Sequence, residues 1–540
     1  MPSAVEAMID AFLEAGTSFI AGVPGEESLE MIEAARQRGL RFILSKQETA
    51  GAIMAATAGE LTGAPGVCLS TRAPGAANMV LGVTHAWMDR CPLVAITDQF
   101  AGPVYGMALR QRLNQMALYA PITKWQTSIR AESVRQQSRR AIRTAISGIP
   151  GPVQVDLPAD ERLRDAGPSA DAGPLLPSRV SVIPDRAGMM EPLHILDAAR
   201  RPVLMVGTGV FRSGASAELV ALAERLGAPV ITTPKTKGAI AEDHPLSAGC
   251  FFGGMTERKL IDQADLIVTV GLDTVEMQPV PWPYATNVLA LGSVQDIDGP
   301  VPASVEVIGD LKAILAGLAL WARDGSQWGE RAAREFRRSL GQAVDVRSAG
   351  LAPQRVIDIA RSVLPRDTIA TCDVGASRLF SVTNWPVYAP RDYLCSNGIA
   401  TMGYSVPAAL GARMVHPGRP IVALTGDGSF LMAIAELQTS VAERLPITIL
   451  VQDNGGLGVM SLRQDMRNIP RTGTVIGGVG WEHLAKTFGA DAAVVDSENG
   501  LGDALGIALN SGRTTIVAAH MDPAGYGEQY WAMLSAQRPT

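Results

Sequence analysis

The stretch PIVALTGDGSF, residues 420–430, decides how this sequence is interpreted. Its first half is a continuous apolar run, which is typical of a strand buried on both faces of a parallel sheet. The run ends at Gly426-Asp427-Gly428 and is followed by a helical pattern with Leu431, Ile434 and Leu437 on one face. A second apolar run, ITILV at 447–451, follows that helix. The order strand, helix, strand predicts a parallel βαβ unit.

Asp427 and Asn454 each follow one of these two strands and lie 27 positions apart. Because the carboxyl ends of neighbouring parallel strands meet at one edge of the sheet, we expect both side chains at that edge. Carboxylate, amide and carbonyl oxygens are hard ligands that suit Mg²⁺. The N–H groups of Gly428 and Ser429, at the start of the helix, favour an anion. The sequence therefore predicts a site for Mg²⁺ together with a diphosphate.

Eleven further apolar runs accompany this strand and alternate with helical patterns, which predicts an α/β protein. Residues 164–190 are rich in Ala, Pro, Gly, Ser and Asp without apolar periodicity, and this composition indicates a linker. The predicted strands are 19–23, 42–45, 66–70, 92–97, 202–206, 229–232, 266–270, 288–291, 368–371, 421–424, 447–451 and 515–519.

A GDG motif followed by Asn about 27 residues later resembles the thiamine-diphosphate motif. Nearly the whole chain resembles the acetolactate synthase, benzoylformate decarboxylase and pyruvate decarboxylase superfamily, and it is most similar to acetolactate-synthase-like proteins. The resemblance implies three doubly wound parallel-sheet domains: a pyrimidine-binding domain, a central domain and a diphosphate-binding domain. The expected boundaries are 1–163 for the N-terminal domain, 164–190 for the linker, 191–325 for the central domain, 326–350 for a helical connector and 351–540 for the C-terminal domain.

The resemblance also implies the residues that hold the cofactor. Asp427, Asn454 and the carbonyl of Gly456 would bind Mg²⁺. Met402 would wedge between the two rings of the cofactor, and the carbonyl of Ala400 would accept a hydrogen bond from its 4′-amino group. The remaining expected cofactor-binding residues are Gly375, Ser377, Gly426, Gly428, Ser429, Val459 and Met460.

Glu48 is the candidate catalytic carboxylate. It follows the predicted strand 42–45 and begins a helix of small residues that permit close approach by a flat ring. A carboxyl group in an apolar site has a raised pKa, which suits it to share a proton with a ring nitrogen. By position alone Glu48 is also a helix-start acid favoured by the dipole. In the family the two halves of a site come from different subunits, which implies at least a homodimer, with a tetramer favoured.

The substrate side of the sequence departs from the acetolactate synthases. Gln111 matches the second residue of the family's Phe-Gln pair in the substrate funnel and is a candidate catalytic residue, whereas Arg110 replaces the aromatic residue. Arg463 stands where the synthases carry Trp, and Arg72 interrupts their Ser-Gly-Pro-Gly segment. Arginines that face a pocket would favour a carboxylate or another anion, and for each of them a surface or interface ion pair is the alternative.

The resemblance implies a thiamine-diphosphate- and Mg²⁺-dependent decarboxylase and carboligase of 2-oxo acids that works through a C2 carbanion and an enamine. A second possibility is a thiamine-dependent lyase or decarboxylase acting on 2-hydroxyacyl-CoA, oxalyl-CoA or an aryl 2-oxo acid of the benzoylformate type. A CoA substrate would need an ordered lid, for which the aromatic tail 526–531 is the candidate. A third possibility is a non-catalytic cofactor-binding homologue, which the intact Glu48, Asp427 and Asn454 disfavour.

FAD, which anabolic synthases carry on the central domain, is not expected. Gly207-Thr208-Gly209 forms a glycine turn after a predicted strand, but Arg212 stands where GxGxxG requires glycine. Residues 271–276 also differ from the Arg-Phe-Asp-Asp run of those synthases.

Composition and the N-terminal sequence predict a cytoplasmic protein. The net charge of −6 gives no electrostatic reason to bind nucleic acid or an acidic membrane face. No apolar run reaches the ~18 residues of a membrane span, and the N-terminus lacks the pattern of a signal peptide. The five cysteines form no CxxC pair, which favours reduced thiols.

Overall fold

Three parallel sheets organise the computed structural model of the chain. It describes residues 1–168, 173–176, 184–251, 256–279, 281–295, 299, 301–325, 327–345, 348–522 and 526–527. Within these residues, eighteen strands form three six-stranded sheets, and every strand pairing inside the sheets is parallel. The predicted α/β class with parallel sheets is confirmed.

The N-terminal sheet has the strand order β2-β1-β3-β4-β6-β5. Its strands are β1 (Ile20–Val23), β2 (Phe42–Leu44), β3 (Gly66–Ser70), β4 (Leu93–Gln99), β5 (Gln126–Ser128) and β6 (Pro152–Pro158). Its helices are α1 (Ala4–Glu14), α2 (Leu29–Gln37), α3 (Glu48–Thr62), α4 (Pro74–Met88), α5 (Gly102–Tyr105), α6 (Gln115–Tyr119) and α7 (Val134–Ile146).

The central sheet has the order β12-β11-β10-β7-β8-β9, which is the arrangement of a dinucleotide-binding domain. Its strands are β7 (Pro202–Val206), β8 (Val230–Thr232), β9 (Ser247–Cys250), β10 (Leu266–Val270), β11 (Val288–Gly292) and β12 (Val305–Ile308). Its helices are α8 (Met190–Ala198), α9 (Gly209–Arg212), α10 (Ser216–Leu226), α11 (Arg258–Ile261) and α12 (Leu311–Trp321), and α13 (Trp328–Val344) follows them.

The C-terminal sheet, β14-β13-β15-β16-β18-β17, repeats the order of the N-terminal sheet. Its strands are β13 (Ile369–Cys372), β14 (Tyr393–Cys395), β15 (Ile421–Gly426), β16 (Thr448–Asp453), β17 (Asp491–Val495) and β18 (Thr515–His520). Its helices are α14 (Pro353–Val363), α15 (Ala376–Asn384), α16 (Ser405–Val415), α17 (Asp427–Ala433), α18 (Glu436–Ala442), α19 (Gly458–Met466), α20 (Trp481–Phe488) and α21 (Glu498–Asn510).

The helix predicted after the GDG motif is divided into α17 and α18. The second part begins at Glu436, whose Oε1 accepts N–H groups of Lys46 at 2.9 Å and Gln47 at 3.1 Å. The prediction of one continuous helix was therefore wrong. The start of α18 at Glu436 coincides with this contact to the N-terminal domain. Hydrophobic periodicity along the chain does not reveal such a contact.

The N-terminal and C-terminal domains of one chain pack through α3 and α16. Gly411 of α16 allows this close approach, because a Cβ there would stand 2.5 Å from the carbonyl oxygen of Met54 in α3. Ile53 of α3 also packs with Tyr404 and Ala408 in a fully buried cluster. The packing places β2 and the start of α3, where Glu48 lies, beside the C-terminal domain of the same chain.

Candidate active site

A cavity of about 250 Å³ lies at the carboxyl edge of the C-terminal sheet. β13, β15 and β16 end there. The chain leaves β13 and β15 toward opposite sides of the sheet, and open α/β sheets bind ligands at such a switch point. The lining residues are Val374, Gly375, Ala376, Ser377, Met402, Gly426, Asp427, Gly428, Ser429, Gln452, Asn454, Gly456, Leu457, Gly458, Val459, Met460 and Tyr526.

Asp427 supplies a buried carboxylate to this cavity. Its Oδ1 accepts the N–H of Gly428 at 2.7 Å, whereas Oδ2 is buried and accepts no hydrogen bond from the described residues. Burial raises the pKa of Asp427 to about 6, and the neighbouring Asp453 adds to that rise. A buried carboxylate oxygen without a donor is costly unless a cation partners it. Asp427 therefore fits the role of a metal ligand.

Asn454 presents an oriented amide on the neighbouring strand end. Its Nδ2 donates to the hydroxyl of Tyr526 at 3.2 Å, and its Oδ1 accepts the N–H of Gly456 at 3.2 Å. The ring of Tyr526 stacks on Phe380, with the ring centroids 5.5 Å apart. Because Nδ2 is engaged by Tyr526, the amide oxygen, with a second lone pair, is the end that can bind a cation.

Two glycines make room for an anionic group beside these ligands. Gly375 begins α15 with φ +100°, a conformation that other residues rarely adopt. A Cβ on Gly428 would stand 2.8 Å from Cδ1 of Ile476 and 2.9 Å from Cδ2 of Leu457. The backbone at both positions therefore lines the cavity without a side chain over it, which suits a phosphate site.

The structure brings together most of the residues predicted to bind the cofactor and the metal. Eleven of the twelve line the cavity, Met402, Val459 and Met460 among them. Ala400 is the exception: it is exposed, has φ +51° and does not line the cavity. The other predicted residues in the lining are Gly375, Ser377, Gly426, Asp427, Gly428, Ser429, Asn454 and Gly456.

The two predicted catalytic residues do not line this cavity within one chain. Glu48 is buried at the start of α3, where Nδ2 of Asn78 donates to its Oε2. A Cβ on Gly75 would stand 2.9 Å from Oε1 of Glu48, so glycine is needed beside the carboxylate. Gln111 is exposed, with φ +57°. The N-terminal half of the predicted site is therefore preformed, but it is separate from the C-terminal half of the same chain.

Sequence reasoning did not assign six of the lining residues to the site. Gln452 carried a signal, because it is polar near the end of an otherwise apolar buried strand, and neither of its amide atoms has a hydrogen-bond partner in the described residues. Tyr526 belongs to the tail considered as a lid; residues 528–531 of that tail lie outside the described residues. The other four are Val374, Ala376, Leu457 and Gly458.

The three arginines that the sequence singled out lie outside the cavity lining of one chain. Arg72 forms an ion pair with Glu27 and lies 4.3 Å from the centroid of the Phe100 ring. Arg110 and Arg463 are exposed. For Arg72, the pairing with Glu27 therefore supports the alternative of an ion pair over a role in the pocket.

Two absences within the described residues concern clustered metal ligands and membrane-spanning helices. No three His, Cys, Asp or Glu side chains come together there in a way that could hold a metal ion. In the same residues, no helix is both long enough and apolar enough to cross a membrane.

Comparison with known proteins agrees with the geometry in all three domains. The N-terminal TPP binding domain of thiamine pyrophosphate enzymes, where TPP is another name for thiamine diphosphate, matches residues 2–118. The central domain of these enzymes matches residues 191–318, and their C-terminal TPP binding domain matches residues 373–519.

Three similar proteins are all named acetolactate synthases. The chain is 31% identical to a probable acetolactate synthase large subunit of Methanocaldococcus jannaschii, over 96% of this chain and 92% of that protein. It is 30% identical to the acetolactate synthase isozyme 3 large subunit of Escherichia coli, over 86% of this chain and 84% of that protein. It is 26% identical to an acetolactate synthase of Bacillus subtilis, over 96% and 93%. The chain therefore belongs to the thiamine pyrophosphate enzyme family and is a thiamine-dependent enzyme of the acetolactate-synthase-like group.

Proposed function

We propose that this enzyme is a Mg²⁺-dependent carboligase that joins two 2-oxo acids with loss of CO₂. The observation that carries the proposal is the buried Oδ2 of Asp427, which accepts no hydrogen bond from the residues that the structure describes, beside Asn454 on the next strand end. A dication there would be held by Asp427, Asn454 and the carbonyl of Gly456, in the way Mg²⁺ is bound by few protein ligands together with phosphates. The diphosphate would lie against the backbone at Gly375 and Gly428.

The bound cofactor would supply an electron sink for decarboxylation and for carbon–carbon bond formation. The protein's own contribution begins at Glu48, which would hold and return a proton at a ring nitrogen of the cofactor. Asn78, which donates to Glu48, would keep the carboxylate in place. Met402, Val459 and Met460 would exclude water from the reacting carbon, because their side chains line the cavity.

We infer that the site is completed between two subunits, with a homodimer as the minimum and a tetramer favoured. The support is that the cavity lining contains only residues of the C-terminal domain, whereas Glu48 is a buried residue of the N-terminal domain. A second copy would supply Glu48 and Gln111 to the cavity. Gln111 is exposed on one chain and is therefore accessible to a second copy.

A panel of substrates tests this function. The enzyme would be incubated with thiamine diphosphate, Mg²⁺ and pyruvate, alone or with a second 2-oxo acid, and the products identified by mass spectrometry. We expect a 2-hydroxy-2-acyl acid and one CO₂ for each pair of substrates, because relatives at about 30% identity are named acetolactate synthases.

Parallel incubations contain an aryl 2-oxo acid, oxalyl-CoA or a 2-hydroxyacyl-CoA. Release of an aldehyde, or cleavage of a CoA thioester substrate in preference to the 2-oxo acids, would contradict carboligation and support the lyase or decarboxylase alternative. Binding of thiamine diphosphate without turnover of any substrate would instead favour a non-catalytic homologue.

We expect the central domain to bind no FAD, because a carboxylate of the chain itself occupies the place of a dinucleotide's phosphates. At the switch point between β7 and β10, Oε2 of Glu276 accepts the N–H of Thr208 at 2.9 Å and its hydroxyl at 3.0 Å. Oε1 accepts the hydroxyl of Thr233 at 2.5 Å. In a dinucleotide-binding sheet this glycine turn donates to the pyrophosphate, which a buried carboxylate would repel. The purified enzyme should show no flavin band in its visible absorption spectrum; a stoichiometric flavin would overturn this expectation.

We also propose that the enzyme works in the cytoplasm. All five cysteines are buried and unpaired, which fits a reducing compartment.

A further inference from the structure

The segment Ser396–Met402, which we name the cofactor loop, connects β14 to α16 and carries Ala400 and Met402. Its first residues rest on the end of α4, which belongs to the N-terminal domain of the same chain. A Cβ on Gly398 would stand 2.6 Å from Cβ of Met88 and 2.8 Å from its carbonyl oxygen. The backbone of the loop is therefore pressed against the end of this helix.

Asp89, the residue after α4, binds the cofactor loop directly. Its Oδ1 accepts the N–H of Asn397 at 2.9 Å, and both of its carboxylate oxygens lie 3.4 Å from the N–H of Gly398. The Asp89 side chain is 1% exposed. One buried carboxylate thus receives two consecutive backbone N–H groups, which fixes the path of the loop at its start.

Two basic side chains at the domain junction contact this carboxylate. Nζ of Lys235, from the central domain, lies 3.4 Å from Oδ1 of Asp89, and Nδ1 of His85 lies 3.0 Å from Oδ2. Burial opposes ionisation, but Lys235 and His85 outweigh it and hold the pKa of Asp89 well below its usual range. Lys235 also forms an ion pair with Glu60 at 2.6 Å.

The same cluster reaches the far end of the loop. Nδ1 of His85 lies 3.2 Å from Oγ of Ser396, and that oxygen accepts the N–H of Thr401 at 3.3 Å. Thr401 precedes Met402, whose side chain lines the cofactor cavity. A chain of buried contacts therefore runs from α4 to the residue expected to wedge between the cofactor rings.

We propose that Asp89 is a positioning residue that sets the cofactor loop, and with it Ala400 and Met402, for binding of thiamine diphosphate. The proposal rests on the proposed function and on the resemblance, which implies that Ala400 and Met402 of this loop contact the cofactor. Asparagine cannot replace the carboxylate, because one end of its amide would place N–H donors against the loop N–H groups or against Lys235.

The test compares Asp89→Asn with Glu60→Gln as a matched control. Each variant removes one of the two carboxylates that pair with buried Lys235. Of these two carboxylates, only that of Asp89 contacts the cofactor loop. Thiamine diphosphate affinity in the presence of Mg²⁺ would be measured by calorimetry, together with Tm, kcat and the cofactor KM. We expect Asp89→Asn to weaken cofactor binding by about 10-fold or more, as for other residues that orient ligands, and Glu60→Gln to change it less than about 3-fold at a similar loss of Tm.

Gly398→Ala provides a second test if Asp89→Asn fails to fold, since it displaces the loop from Met88 and leaves every charge in place. It should weaken cofactor binding in the same direction. Equal affinities in Asp89→Asn and Glu60→Gln, or unchanged affinity in Gly398→Ala, would overturn the positioning role. Failure of the unmodified enzyme to bind thiamine diphosphate with Mg²⁺ would instead overturn the proposed function, so the two failures are distinguishable.

Discussion

Glu48→Gln is expected to lower kcat by about 10³-fold while thiamine diphosphate stays bound. Glutamine keeps the size of the side chain and its hydrogen-bonding capacity toward Asn78, but it cannot take up a proton. The effect should therefore appear in kcat, and calorimetry should return a cofactor affinity close to that of the unmodified enzyme.

Glu443→Gln is a suitable control for the loss of one carboxylate. Glu443 lies in the C-terminal domain, forms an ion pair with Arg41 of the N-terminal domain and lies outside the cavity lining. It should retain nearly full activity. Activity of Glu48→Gln equal to that of this control would remove Glu48 from the proton relay.

Asp427→Ala is expected to abolish Mg²⁺-dependent retention of thiamine diphosphate, with a loss of affinity above about 100-fold. Residues that only orient metal ligands cost 10- to 100-fold when they are lost, so a direct ligand should cost more. The measurement is calorimetric titration of thiamine diphosphate at several Mg²⁺ concentrations. The variant should also lose the dependence on Mg²⁺ itself.

Asp465→Ala is the matched control, because Asp465 is an exposed carboxylate of α19 paired with Arg471 on the same domain. It should bind the cofactor as the unmodified enzyme does. Retention of the cofactor by Asp427→Ala at the level of this control would refute the assignment of Asp427 to the metal.

The two variants together test whether a site is shared between subunits. In co-expressed Glu48→Gln and Asp427→Ala chains, about half of the dimers are mixed, and each mixed dimer contains one site with both unmodified residues. Activity should therefore return to about a quarter of the unmodified level. Activity no higher than that of the separate variants would show that both halves of a site come from one chain.

By itself the sequence determined all but one of the inner strands of the three sheets and most of the residues that line the cavity at the carboxyl edge of the C-terminal sheet. Strands covered on both faces of a parallel sheet are continuous apolar runs, and Asp427 and Asn454 follow two of them directly. Six strands have no predicted counterpart. Five of them lie at sheet edges, β5, β9, β12, β14 and β17, and the sixth, β6, lies inside the N-terminal sheet. Edge strands pair on one side only, so short and partly polar segments suffice there.

Only the tertiary structure decided which residues far apart in the sequence contact one another. Asp89 and Asn397 are 308 positions apart, and Asn454 and Tyr526 are 72 apart. Glu276 reaches the glycine turn at Thr208 from 68 positions away. These contacts arise where packed domains and loops bury charged or polar groups together. Spacing along the chain carries no record of them, because hydrophobic periodicity reports the face a residue presents and not the partner it meets.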